Sequence, residues 1–137
     1  MERITLDWLI ERRACSDAKE LFREIFGKSA PVKQIVQELH ERKLSVWEGW
    51  LLSQTPAVTE SLFKHGADVH AYYDCALHLA AAKDRTKTVA LLLKHGADVR
   101  ADNNDALRCA ARRGSTEIVA LLERHIHEME SNKPPTR

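Results

Sequence analysis

The stretch KHGADVHA, residues 64–71, returns thirty residues later as KHGADVRA, residues 94–101, with seven of eight residues identical. A fixed period constrains a fold more than any other feature of a sequence. It means that one supersecondary unit is built more than once, and that the copies stack to bury the face they share.

Laying residues 72–101 over 102–131 gives ten identities in thirty, eight of them apolar: Ala76/Ala106, Leu77/Leu107, Ala80/Ala110, Ala81/Ala111, Val89/Val119, Ala90/Ala120, Leu91/Leu121 and Leu92/Leu122. Shared apolar residues at fixed positions imply a shared packing task. Each unit reads as an Ala-rich helix, a polar turn and a Leu-rich helix. The alanines let one hairpin approach the next closely, and the Leu and Val side chains fill the space between layers. Gly66 and Gly96 suit the left-handed position that stops an outer helix. Ala67/Ala97 and Val69/Val99 should tuck the return loop onto the core, and Asp68 and Asp98 should accept hydrogen bonds from loop N–H groups.

Upstream the pattern stays helical. Thr5 can cap a first helix carrying Leu6, Leu9 and Ile10. Ser16 can cap a second, whose Ala18, Leu21, Phe22, Ile25 and Phe26 form one stripe ended by Gly27. Pro31 suits the first turn of a third helix with Val32, Ile35, Val36 and Leu39 inward. Ser45 and Glu48 read as the capping box of a fourth helix, which carries Trp47, Trp50 and Leu51. Thr55 and Pro56 open a fifth, with Val58 and Leu62 inward. No segment alternates as a strand does, so the class is all-α. Without a neighbour the first hairpin would expose its apolar face, and Trp50 is placed to cover it, with a second binding groove as the other use of Trp8, Trp47 and Trp50.

ALHLAAAKDRTKTVALLLKHGADVRA (76–101) and ALRCAARRGSTEIVALLERH (106–125) resemble the ankyrin-repeat pattern: L-H-x-A-A, a turn, V-x-L-L-L, then G-A-D-V-x-A. TESLFKHGADVHA (59–71) is similar to the outer half of an earlier copy, whose inner half, SVWEGWLLSQ, departs from the pattern. The resemblance implies a short all-α solenoid over residues 45–131, with a degenerate unit at 45–71, units at 72–101 and 102–131, a helical N-terminal cap at 1–44 and a disordered tail at 132–137, folding as one body. The period is thirty residues rather than the family's usual 33 or so. The missing residues fall where the family projects a finger, so the loops should be stubby. In the last unit Ile126–Met129 replace G-A-D-V, so the last helix should run on to about Ser131 as a terminal cap.

Function should lie where the repeats differ. They differ at loop positions His70, Tyr72 and Tyr73 against Arg100, Asp102 and Asn103, and on the inner helices at His78 and Lys83 against Arg108, Arg112 and Arg113. By the resemblance these line the concave face that grips a protein partner. Exposed Tyr supplies contact area at low entropy cost, or else packs over neighbouring loops. Residues 100–113 hold four Arg against two Asp, which suits an acidic partner surface, a phosphate backbone, or a plain solvated helix face.

The chain of 137 residues carries 21 Lys and Arg against 20 acids, a net charge of +1. No global field draws nucleic acid or membrane, and no apolar run reaches the roughly 18 residues of a membrane span. MERITLDWLIERRAC has charges inside its apolar pattern and does not read as a signal peptide. Three cysteines, an odd and sparse set, suit a reducing, cytoplasmic setting. Cys75, His78 and Cys109 do not converge as metal ligands, His125 and His127 do not share a helix face, and Cys75 lacks a polarising base. No cofactor site is visible. The expectation is a non-catalytic module that binds a protein by occupancy. The thirty-residue units resemble ankyrin units of large viruses and some bacteria, which extends it to a phage or mobile-element inhibitor of a host defence complex. The alternative is a nucleic-acid-associated module using Arg100–Arg113. The N-terminal helices are also a candidate surface for pairing two copies.

Overall fold

The computed structural model describes residues 3–131; the expected disorder at 132–137 lies outside them. Among the described residues nine helices follow one another: α1 (Leu6–Glu11), α2 (Ser16–Phe26), α3 (Val32–Glu41), α4 (Ser45–Leu52), α5 (Pro56–Lys64), α6 (Ala71–Ala82), α7 (Thr86–Lys94), α8 (Ala101–Arg113) and α9 (Thr116–Ser131). Two three-residue strands, β1 (Arg3–Thr5) and β2 (Ser29–Pro31), pair antiparallel with Ile4 opposite Ala30. This small ladder corrects the strand-free reading. Three residues are too few to show alternation, but Ile4 and Ala30 are both buried, and the Leu6 N–H extends the pairing to the Lys28 carbonyl at 2.8 Å.

The helices stack in the order the repeat predicts. Inner helices α4, α6 and α8 pack side by side, and α3, α5, α7 and α9 pack in the same succession behind them. Ala76, Ala80, Ala106 and Ala110 lie between inner helices, and Leu62, Val89, Leu92, Ile118 and Leu122 between outer ones; all are buried. Gly49 on α4 extends the small-residue rule into the degenerate unit. A β-carbon there would overlap Cys75 Sγ, so α4 reaches α6 only because position 49 carries none.

Helix ends share one device. At Gly66 and Gly96, both with φ of 90°, the N–H of the following alanine bonds back to Leu62 or Leu92 at 3.0 Å. This is the Schellman stop that the repeated octapeptide encodes. Arg13, Lys43 and Asp84 take the same position without glycine, with φ of 56–59°. The last helix has no such stop and continues to Ser131, as its missing glycine predicts.

Three local expectations are corrected. Thr5 does cap α1, accepting from the Trp8 N–H at 3.0 Å. The residue before α2, however, is Cys15, and Ser16 is already helical. Pro31 precedes α3 rather than entering it. Ser45 makes no capping box, because α4 starts from Leu44 without a side-chain cap and Glu48 points elsewhere.

The N-terminal helices close the open end of the stack loosely. Of the stripe on α2 only Phe22 is fully buried. Its other members face α3 and α4 across an apolar groove of about 300 Å³ that Trp47 and Trp50 also line. Trp8 meets Trp50 edge to face, with centroids 6.3 Å apart.

Gly49→Ala should destabilise the protein by about 1–3 kcal/mol through overpacking, and adding Cys75→Ala should recover most of that loss. Urea unfolding of both variants checks it: equal stability of the single and double variants would show that the two helices do not meet at this point.

Candidate functional site

The loops between outer and inner helices are short, His65–His70 and His95–Arg100, as expected from the thirty-residue period. What holds them is a buried carboxylate in each preceding inner-helix segment. Glu48, 3% exposed, accepts the Asp68 N–H at 2.6 Å and meets His40 Nε2 at 2.7 Å. Asp74, 7% exposed, accepts the Asp98 N–H at 2.8 Å and meets His70 Nδ1 at 2.9 Å. Asp68 and Asp98 in turn accept the His70 and Arg100 N–H groups at 2.9 and 3.0 Å, as the repeated sequence suggests. Arg100 then reaches Glu130 on α9 at 2.6 Å. A polar ladder thus crosses every layer of the stack.

At the start of α6 and α8 the backbone does something that helical pattern alone does not disclose. Tyr72, Tyr73 and Asp74 take φ of 49°, 56° and 56°, and Asp102, Asn103 and Asn104 take 53°, 58° and 61°. Each triplet is a single left-handed turn that precedes the right-handed inner helix. L-residues enter this region at about 1–2 kcal/mol apiece, and Asn and Asp tolerate it best. Asp102, Asn103 and Asn104 are therefore easily explained, and Tyr72 and Tyr73 are not. Asp74 is held there by its bond to the next loop. The two tyrosines are 52% and 77% exposed, with ring centroids 5.5 Å apart.

The remaining site candidates divide into two groups. His78 Nδ1 lies 3.4 Å from Asp105 Oδ2, joining α6 to α8. Arg108 turns back onto the left-handed turn, donating to the Asn103 and Asp102 carbonyls at 3.2 and 3.1 Å and standing 3.4 Å from Asp105. Lys83, Arg112 and Arg113 sit at the opposite ends of the inner helices, exposed, about 13 Å along the axis from the tyrosines. The structure thus gathers His70, Tyr72, Tyr73, His78, Arg100, Asp102, Asn103 and Arg108 at the loop end, and puts the other three at the turn end. His70, His78, Arg100 and Arg108 all hold partners within the chain.

Cys75 is buried, and burial, then the Asp74 charge, pushes its thiol up to about 11. At neutral pH it is a packed thiol rather than a thiolate. Cys109 is raised as well, first by burial and then by Asp105. Among the described residues no group of three or more His, Cys, Asp or Glu could hold a metal ion, and no helix is long and apolar enough to cross a membrane.

A family model of three ankyrin repeats matches residues 51–132. The chain belongs to the ankyrin-repeat family, and helices α1–α3 precede the matched region. No curated protein and no solved structure matches it. Ankyrin repeats are protein-interaction modules, typically without catalytic activity.

Asp74→Ala should lower stability by about 2 kcal/mol, because the Asp98 N–H and His70 lose their acceptor. Asp74→Asn keeps an acceptor and a residue type suited to φ of 56°, so it should cost less. Asp102→Ala removes no side-chain hydrogen bond and should cost only the lost left-handed preference, less than Asp74→Ala. Chemical denaturation of the three variants checks the order; equal effects at 74 and 102 would mean that the buried carboxylate holds nothing.

Proposed function

We propose that the protein is a non-catalytic binding module that grips a protein partner with the concave face of its repeats, centred on Tyr72 and Tyr73. The supporting observation is the conformation of this pair. Two bulky aromatic residues occupy a left-handed turn where the neighbouring unit uses Asp102 and Asn103, and they project into solvent. Local strain at exposed residues, without a packing return, is the signature of a surface kept for contact. Tyrosine pairs also suit the anchor positions of protein interfaces.

Arg112 and Arg113 are exposed in the last turn of α8, at the far end of the inner helices from the tyrosines, and suit an acidic rim on the partner. The alternative, a nucleic-acid-associated module built on Arg100–Arg113, has less support. Arg100 is engaged with Glu130 and Arg108 with Asp105 and two carbonyls. Half of the four-arginine patch is thereby committed within the chain.

The narrower reading is an inhibitor that occupies a host defence complex on behalf of a phage or mobile element, acting in the cytoplasm. It rests on the likeness of the thirty-residue units to viral and bacterial ankyrin units.

The test uses a substitution that separates stability from contact. Tyr72→Asn/Tyr73→Asn installs residue types that the left-handed turn prefers. It should raise stability by about 1 kcal/mol while weakening partner capture from a host lysate at least tenfold. Capture equal to wild type would place the partner surface elsewhere.

A further inference from the structure

The end of α1, the turn after α4 and the turn after α6 come together around a cleft of about 330 Å³. Its wall carries four cations, Arg12, Arg13, Lys83 and Arg85, and one carboxylate, Glu11. In a chain with a net charge of +1, this is a concentrated local excess. Among the described residues none of the four is ion-paired: Arg12 lies over the Trp8 ring, 5.4 Å from its centroid, and Arg85 Nη1 donates to the Ser53 carbonyl at 3.0 Å. Four like charges facing one cleft with a single carboxylate among them repel, and an oxyanion is the group that would relieve them.

Two further observations shape the ligand. Gln54 lines the cleft and is 2% exposed, yet its Oε1 accepts no hydrogen bond. A buried acceptor left open suits a ligand hydroxyl or N–H. Trp50 and Leu79 supply an apolar stretch of wall beside the cations. The cleft is also larger than one bare oxyanion requires. Burial and then the Arg12 charge lower the Arg85 pKa, consistent with a partly dry, strongly positive site, although a guanidinium remains charged at neutral pH.

We propose that this cleft binds a small phosphate-bearing molecule of nucleotide size, with the phosphate on Arg12, Arg13, Lys83 and Arg85 and the less polar part against Trp50 and Leu79. The cleft needs both the N-terminal helices and the repeats, so it would be a property of this combination rather than of a repeat stack alone. It is also independent of the tyrosine pair.

Isothermal titration calorimetry of the full chain with AMP, inorganic phosphate and adenosine tests it. AMP should bind at one saturable site, inorganic phosphate more weakly and adenosine not at all, with affinity falling as salt is raised. Lys83→Gln, at an exposed position, and Arg12→Gln should each weaken AMP at least tenfold, whereas Lys33→Gln on α3 should not. Arg12 packs on Trp8, so its variant is read alongside a thermal melt, and Lys83→Gln carries the test if that melt shifts. Inorganic phosphate binding as tightly as AMP would remove Trp50 and Leu79 from the site and overturn the nucleotide-sized assignment. Adenosine binding as tightly as AMP, no saturation by ~5 mM AMP, or unchanged affinity in Lys83→Gln would overturn the proposal.

Discussion

A carboxylate at the foot of an inner helix, removed from water and bonded to the N–H of a loop 20 or 24 residues further along the chain, is the constraint on which this stack depends. A buried charge is tolerated only with partners. Glu48 finds Asp68 and His40, and Asp74 finds Asp98 and His70. Because the acceptor lies in one layer and the donor leads into the next, each bond fixes the spacing and angle of consecutive hairpins. Hydrophobic burial drives the layers together without specifying their register. The carboxylates, with the close approach at Gly49 and Cys75, supply it.

The ladder also explains why the octapeptide is repeated and where it stops. Lys-His-Gly-Ala-Asp-Val ends an outer helix, turns the chain and presents an N–H to the carboxylate of the same hairpin. Asn104 stands where Asp74 stands one unit earlier, and no return loop follows it, since α9 continues to Ser131. Arg100 closes the ladder instead by reaching Glu130. The last unit keeps the apolar face toward its neighbour, and its outer helix runs on to Ser131 without a glycine-stopped return loop.

Much of this was legible beforehand. Periodicity placed the helices, since Val32, Ile35, Val36, Leu39, Val58 and Leu62 all point inward as their spacing requires. The glycine stops and the run-on of α9 follow from single residues. The misreadings share a physical origin. Ser45 and Glu48 have capping-box spacing, but a tertiary partner for Glu48 outweighs a local one. Tyr72–Asp74 and Asp102–Asn104 read as loop positions; that each triplet forms a left-handed turn is not legible, because the turn leaves the surrounding apolar pattern intact. The cleft formed by Arg12, Arg85 and Gln54 joins segments some forty and seventy residues apart in sequence, and no local pattern announces it. His70, Arg100 and Arg108 differ between the repeats, and in the structure that difference is partly a difference of internal partners.

The most direct test of the central claim is native-state hydrogen exchange at the Asp68 and Asp98 amides. Both belong to exposed residues in short loops, where an amide bonded only to water exchanges near its intrinsic rate. If the buried carboxylates hold the layers together, these two amides should exchange as slowly as those in the middle of α6, with the same dependence on denaturant. Exchange at the rate of an unprotected loop would contradict the account.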